Sequence, residues 1–251
     1  MRGVILAAGE GTRLAPLTVD CPKPLIPVLG RPLLDYTLEA FAEARIKEIA
    51  LVVGYRGWML AEYLREGHCH GAHVQCLPNL NYQRGNGSSI YAARDFVGGE
   101  PFVVAMADHL ISSAILEELF SGLAGEATLC VDRQAYDPPQ FKDATRVWVD
   151  EEGFVVRIGK TLERWNGVDA GVFLLQPTIF SILARLMKDE TRPCTVTRAV
   201  RRLIAREGLR ACDISGCFWL DVDTPADLAY ARQALTRRMA EAVSELDRLA
   251  G

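Results

Sequence analysis

The sequence predicts an α/β fold in which a mostly parallel central sheet is flanked by helices and followed by a mixed α+β portion. Three observations predict it. Short β-rich runs alternate with amphipathic helical segments through the first half of the chain, the order of a parallel sheet covered on both faces. The runs Val4–Leu6, Ile49–Val53 and Val103–Met106 are continuously apolar, as strands buried on both faces should be. Beyond Ala127 the alternation breaks, and Arg146–Val149 and Phe154–Ile158 flank the acidic turn Asp150-Glu151-Glu152-Gly153, a hairpin pattern.

In chain order, strands are expected over Gly3–Ala7, Glu48–Val53, His73–Leu77 and Phe102–Met106, with helices over Leu33–Ala44, Trp58–Glu66 and Ser88–Phe96 between them. Leu34, Leu38 and Phe41 share one helical face, and Pro32 stands where a first-turn proline belongs. In the second half Val168–Leu175 reads as a buried strand, Pro177–Met187 and Thr197–Glu207 as helices, and Phe218–Val222 as a last strand. Thr224 then caps a long closing helix, with Pro225 at its first position and Asp227 reaching back as in a capping box. No repeat or low-complexity linker divides the chain, so 1–251 reads as one domain.

Composition narrows the partners. The 251 residues are 49% hydrophobic and 24% charged, the balance of a globular protein able to bury a full core without staples. The formal net charge is −4, and no Lys/Arg block stands out, which argues against nucleic acid or an anionic membrane as main partner. The most apolar stretch, Val168 to Met187, is interrupted by Asp169, Gln176, Pro177 and Arg185, so no membrane span is expected. The apolar run Val4–Ala8 is too short for a signal peptide, and seven scattered cysteines without a C-x-x-C fit a reducing compartment. The expectation is a cytoplasmic protein.

Four segments carry chemistry. Leu6-Ala7-Ala8-Gly9-Glu10-Gly11-Thr12-Arg13-Leu14 follows the first strand, and its small residues and glycines allow a ligand close to the backbone N–H groups. A third glycine for a dinucleotide fingerprint and a Lys-Ser/Thr for a P-loop are both missing. Pro22-Lys23-Pro24 pins a lysine in a segment that cannot be helical, so Arg13 and Lys23 together could clamp a phosphate chain. Asp108 emerges just past an apolar strand, at the carboxyl edge of the sheet where such folds bind ligands. In Trp219-Leu220-Asp221-Val222-Asp223-Thr224 the two aspartates lie two apart, on one face of a strand, where aligned carboxylates need a cation or donors between them. Plain alternatives exist for three of them: a tight turn for the glycines, a solvated loop for Lys23, helix capping for the aspartate pair.

Ala8-Gly9-Glu10-Gly11-Thr12-Arg13-Leu14 with Pro22-Lys23-Pro24 resembles the signature of the sugar-phosphate nucleotidylyltransferase family. Arg84-Gly85-Asn86-Gly87-Ser88-Ser89, Ala107-Asp108-His109, Arg157-Ile158-Gly159-Lys160, Val168-Asp169-Ala170-Gly171 and Leu220-Asp221-Val222-Asp223-Thr224 are similar, in this order, to the CTP:inositol-1-phosphate cytidylyltransferases. The resemblance implies a Rossmann-like nucleotide-binding part over about 1–126, an acceptor-binding part over about 127–223 and a closing helix over 225–248. It implies that Leu6, Ala7 and Ala8 with Gly87 and Ser88 hold the base, and that Gly9, Gly11, Thr12 and Arg13 hold the phosphates. It further implies Lys23 at the α-phosphate, Lys160 on the acceptor's phosphate with Asp169 and Gly171 beside the acceptor, and Mg²⁺ on Asp108 with Asp223 or Asp221. Two departures stand: Ala107 replaces a usual glycine, and neither hexapeptide repeats nor a membrane-embedded transferase half is read within these 251 residues.

The implied reaction joins CTP and a phosphorylated polyol, inositol 1-phosphate first among them, with release of pyrophosphate. A monophosphate whose second pKa is about 6 is already a nucleophile at neutral pH, so cationic clamps and Mg²⁺ suffice without a general base. A hexose-1-phosphate or phosphocholine nucleotidylyltransferase is the alternative within this chemistry, and a non-catalytic nucleotide-sugar-binding regulator is the alternative outside it.

Other features are read as structural. His68-Cys69-His70-Gly71-Ala72-His73 with Cys76 has no zinc spacing and is expected to be a solvated loop. Arg198, Arg201, Arg202 and Arg206 are expected to form a solvated helix face. Trp165 and Tyr136 would either shape an acceptor pocket or pack in the core.

Overall fold

In the computed structural model, which describes residues 1–122, 125–134 and 144–250, the apolar runs of the first half form strands with little departure from expectation. β1 (Arg2–Ala7) leads through the glycine turn to the short β2 (Pro27–Val28) and β3 (Arg31–Pro32), then to helix α1 (Leu33–Glu43). β4 (Glu48–Val53), α2 (Gly57–Arg65) and β5 (His73–Pro78) follow. α3 (Gly87–Ala92) and α4 (Arg94–Val97) replace the single helix expected over Ser88–Phe96, with Ala93 at the break. β6 (Phe102–Met106), β7 (His109–Ile111) and α5 (Ser113–Ser121) complete this half.

The second half contributes β8 (Thr128–Asp132), the hairpin β9 (Arg146–Val149) and β10 (Val155–Gly159), and β11 (Gly167–Leu175). Then come α6 (Ile179–Lys188), α7 (Val196–Glu207), β12 (Arg210–Asp213), β13 (Trp219–Asp221) and the closing α8 (Pro225–Ala250). The acidic turn is fixed by Asp150, whose Oδ1 accepts from the backbone N–H groups of Glu152 and Phe154. The capping box at α8 forms as read: Asp227 Oδ2 accepts from Thr224 N at 2.7 Å, and Asp227 N donates to Thr224 Oγ1 at 3.2 Å.

The main sheet runs β10-β9-β11-β6-β1-β4-β5, with β8 on β11 and β12 on β8. β6, β1, β4 and β5 are mutually parallel, while β11 lies antiparallel to β6 and so joins the two halves edge to edge. A parallel neighbour needs a crossover helix, and β11 arrives instead from the hairpin region, which permits the antiparallel junction. The last strand pairs outside this sheet: β13 forms a two-stranded ribbon with β7, in the register Asp221↔His109. Two apolar layers cover the main sheet. Val4, Val52, Val104 and Phe173 face one, against α3, α6 and α7; Ile5, Leu51, Val103 and Leu174 face the other, with Leu34, Leu38 and Phe41 of α1. A third cluster of Leu14, Leu33, Leu220, Val222 and Leu228 packs the signature loop and β13 against the start of α8. All seven cysteines are free thiols. Among the described residues no helix is long and apolar enough to cross a membrane.

Candidate active site

The site forms where β1 and β6 end side by side, because Leu6 pairs with Met106 and Ala107 N donates to Leu6 O. The chain leaving β1 turns at Gly11, whose φ of 65° is left-handed; a Cβ there would stand 2.8 Å from Lys23 Cβ. Gly11 O accepts from Leu14 N at 2.9 Å and from Thr18 Oγ1 at 3.0 Å, which closes the loop over the segment carrying Lys23. Lys23 opens a short 3₁₀ turn behind Pro22 and is 6% exposed, not a solvated loop residue.

Its ammonium donates to Asp108 Oδ2 at 2.6 Å and to Asp223 Oδ1 at 2.5 Å, and Arg13 donates to Asp223 Oδ2 at 2.5 Å. Burial alone would lower the Lys23 pKa, but Asp108 and Asp223 outweigh it and hold the amine above its usual range. Burial likewise disfavours charge on Asp108, and the attraction of Lys23 together with His109 overcomes it and keeps that carboxyl well below the usual range. Asp223 is shifted down by the same balance, with Lys23 as the main opposing charge.

Asp221 behaves differently. Its Oδ1 is buried with no hydrogen-bond partner and lies 3.8 Å from His109 Nδ1. Burial pushes this carboxyl up to about 7, with Asp108 and Asp223 adding to the effect against the pull of His109. Strand β13 stops at Asp221, so the two-residue alternation does not extend to Asp223; both aspartates nevertheless line one cavity because the chain is held there by Val222 N donating to Asp108 O at 3.1 Å. These carboxylates suit a hard divalent cation, which takes oxygen ligands. One oxygen each of Asp108 and Asp221 and one nitrogen of His109 lie within 4.8 Å of one another, and the buried Asp221 Oδ1, which has no hydrogen-bond partner, suits the role of a cation ligand.

Two adjoining cavities meet at Arg13, Asp108 and Asp223. The smaller, ≈ 220 Å³, is lined by Leu6, Ala7, Gly9, Gly11, Thr12, Arg13 and Lys23 of the signature segment. The larger, ≈ 530 Å³, brings in Lys160, Asp169 and Gly171 from the second half. Ala8 is buried beside the smaller one, its carbonyl accepting from Tyr55 N at 3.0 Å. Asp169 Oδ1 accepts from Gly171 N at 2.8 Å, yet burial outweighs that bond and pushes the carboxyl up to about 6.

Gly87 and Ser88 line neither cavity, though Asn86 just before them lines the larger. Their turn is hydrogen-bonded to itself: Ser88 Oγ donates to Gly85 O at 2.7 Å, and Asn79 Nδ2 donates to Ser88 Oγ at 2.8 Å and to Ser89 Oγ at 3.0 Å. The turn is also tied to the start of α7, with Gly87 N donating to Cys194 O and Val196 N to Asn86 Oδ1, both at 2.9 Å. The Ser88 and Ser89 hydroxyls therefore hold the turn's shape and do not point free toward a ligand.

Three residues join the site without having been singled out for it. Arg201 departs from the solvated arginine face: it reaches across β10 to donate to Ile158 O at 2.8 Å and lines the larger cavity near Lys160. Arg198 pairs with Asp189 and Arg206 contacts Ser181, as surface residues do. His109 donates from Nδ1 to Asp108 Oδ1 at 2.9 Å, and Trp219 stacks on it at 6.3 Å between ring centres. Burial disfavours a charged His109 ring, but Asp221 and Asp108 outweigh it and hold the ring at about 9. The sequence signal for His109 was a polar residue opening the apolar triplet His-Leu-Ile directly after Asp108.

The histidine and cysteine cluster separates onto different partners: His68 stacks on Tyr63, His70 faces Asp35, and His73 faces Glu48. Trp165 packs against the core with the Arg146 guanidinium 5.6 Å from its ring centre and lines neither cavity; Tyr136 lies outside the described residues.

Comparison with known proteins bears on the family and the fold. The model of the nucleotidyl transferase family matches residues 2–238. The bifunctional IPC transferase and DIPP synthase of Aquifex aeolicus is 35% identical over 244 residues, covering 96% of this chain and 53% of that protein. The protein of the same name from Rubrobacter xylanophilus is 38% identical over 236 residues, covering 91% and 50%. The chain thus spans about half the length of these relatives. Among solved structures, the inositol-1-phosphate CTP transferase from T. maritima superposes with a TM-score of 0.81 at 24% identity, covering 90% of each chain. A UDP-glucose pyrophosphorylase complexed with UDP-glucose gives 0.81 at 21% identity, covering 94% and 98%; at such identities both show a shared fold. A family match across nearly the whole chain, on a fold that brings the signature loop to the carboxyl edge of the parallel strands, places this chain in the nucleotidyl transferase family.

Proposed function

We propose that this chain is a Mg²⁺-dependent cytidylyltransferase that joins CTP to inositol 1-phosphate, giving a CDP-polyol and pyrophosphate. The observation that carries the reading is Lys23 held between Asp108 and Asp223 at the junction of the two cavities. A phosphate-transfer site needs cations and metal-binding carboxylates at the point where two anionic substrates meet. The relatives named for IPC transferase activity, and the inositol-1-phosphate CTP transferase of the same fold, support the choice of substrates.

In this reading residues up to about 126 take the nucleotide, those over about 127–223 take the acceptor, and α8 closes the chain. The signature turn and Arg13 hold the β- and γ-phosphates; Lys23 holds the α-phosphate; Leu6, Ala7 and Ala8 bound the base, and Gly87 and Ser88, which line neither cavity, act on it only through the turn that carries Asn86. Lys160 and Arg201 hold the acceptor's phosphate, whose dianion attacks the α-phosphorus in line while the bond to pyrophosphate breaks. Mg²⁺ held by Asp108 and Asp223, with Asp221 beside them, would neutralise charge on the reacting phosphates. No base is needed, since the nucleophile carries no proton to remove at neutral pH.

A pyrophosphate-release screen of four nucleoside triphosphates against phosphorylated inositols, sugars and amino alcohols tests the reading. Turnover with CTP and inositol 1-phosphate is expected; turnover only with a hexose 1-phosphate or phosphocholine would reassign the acceptor, and none with any pair would favour a regulatory homologue.

A further inference from the structure

We propose that His109 reads a hydroxyl of the acceptor through Nε2 while Nδ1 positions Asp108, making it a specificity-determining residue of the site. The proposal rests on the polyol-phosphate reading above. Its basis is how completely the ring is fixed and where its remaining nitrogen lies.

His109 is held from several directions. Nδ1 bonds Asp108, the ring stacks on Trp219, the backbone is in register with Asp221 in the β7–β13 ribbon, and the carbonyl accepts from the buried Thr37 hydroxyl at 3.0 Å. Trp219 is itself anchored by its Nε1 donating to Asp132 Oδ2 at 2.9 Å. A ring tied in this way cannot swing, so Nε2 has a set position. Among the described residues Nε2 has no hydrogen-bond partner, and its edge faces Gly171 on the wall of the larger cavity.

Gly171 keeps that edge clear. Its φ is 75°, and a Cβ there would lie 2.7 Å from Nε2 and 2.8 Å from Cδ2. Asp169 Oδ1 accepts from Gly171 N, in the stretch where the pairing of β11 with β8 shifts register. The cavity wall therefore presents an imidazole nitrogen and a carboxylate, with the cations Lys160 and Arg201 on the same cavity for a phosphate. An acceptor with several hydroxyls around one phosphate matches that set, because a hydroxyl both donates and accepts and so can pair with Nε2 with or without a proton on that nitrogen. Fixing the ring through Asp108 also links acceptor recognition to the carboxylate beside the reacting phosphate.

Two substitutions separate the two nitrogens. In His109→Asn the amide can replace the Nδ1 donor to Asp108 but does not reach the Nε2 position; in His109→Gln the reverse holds. The expected result, with thermal melting to show that both variants fold, is a KM for inositol 1-phosphate at least ~10-fold higher in His109→Asn with kcat little changed. His109→Gln should instead lower kcat with a smaller change in KM. One monodeoxy-inositol 1-phosphate should be a poor substrate for the wild type and lose no further efficiency in His109→Asn. Binding of inositol 1-phosphate, followed by calorimetry, gives a readout independent of turnover. Binding by the wild type with an unchanged affinity in His109→Asn, or equal losses for every deoxy analogue in both proteins, would overturn the role of His109 alone. No binding of inositol 1-phosphate to the wild type would overturn the polyol reading and this proposal together.

Discussion

Lys23 Nζ and Asp223 Oδ1 lie 2.5 Å apart although 200 residues separate them in the chain, and Asp108 Oδ2 completes the bridge from 2.6 Å. The lysine thus holds two carboxylates together that would otherwise repel. Lys23→Met should destabilise the protein by about 3–5 kcal/mol, because removing one partner strands buried charge, and should lower kcat at least ~100-fold. Millimolar Mg²⁺ should recover part of the stability in the variant. Thermal unfolding with Mg²⁺ and with a chelator checks this, and an unchanged melting temperature would contradict it.

The aspartates should separate by opposite effects on stability. Asp108→Asn should reduce kcat by orders of magnitude while the protein stays folded, and turnover within a factor of a few of wild type would remove Asp108 from the site. Asp223→Asn should destabilise, since it weakens the pairs with both Arg13 and Lys23. Asp221→Asn should raise the metal-free melting temperature by relieving a buried, unpartnered carboxylate oxygen. A larger rate loss for Asp221→Ala than for Asp223→Ala would make Asp221 the principal metal ligand.

The cations divide by substrate. Lys160→Ala and Arg201→Ala should raise the KM of the acceptor more than that of CTP, because both line the larger cavity and not the smaller, whereas Arg13→Ala should weaken the nucleotide. Steady-state kinetics with each substrate varied in turn would show this, and equal changes in both constants would refute the division.

Nucleotide choice should favour CTP over UTP and dTTP by at least ~100-fold in kcat/KM, as a site that pairs with the cytosine amino group leaves an acceptor unpaired with the other pyrimidines. Because the Ser88 and Ser89 hydroxyls are engaged inside their own turn, Ser89→Ala should lower stability and leave the CTP to UTP ratio within about threefold. Comparable rates with GTP or ATP would refute the pyrimidine preference itself.

Asp169 should make stability depend on pH. Its carboxyl is raised from 3.8 to about 6, so the folded protein binds the proton more tightly than the unfolded chain. Stability therefore falls as pH rises through this window, and the full penalty persists above it. Asp169→Asn should stabilise the protein by up to about 3 kcal/mol at pH 7.5 and by nothing near pH 3, while raising the KM of the acceptor. Denaturant unfolding at the two pH values checks the sign.

What the sequence determined by itself was everything whose cause lies within a few residues. The apolar runs of β1, β4 and β6 match observed strands to within a residue or so, and the Thr224–Asp227 capping box forms as read, because periodicity and capping are local. The signature turn was equally legible, since left-handed Gly11 and the proline-flanked Lys23 state their backbone needs directly. Tertiary structure alone decided the partners. Helical spacing placed Arg201 on a face of α7 but could not say that β10 lies against it, and the alternation of Phe218–Val222 could not reveal that β13 pairs with β7 outside the main sheet. The polar residues of the Ser88 turn looked available for a base until Asn79 and Gly85 took their hydroxyls. His109 became a site residue only when Asp108, Trp219 and Gly171, from three separate strands and their ends, closed around its ring. The reason is physical: a side chain's chemistry is set by which charges and donors stand within a few ångströms of it, and for a buried group in this fold most of those come from distant parts of the chain.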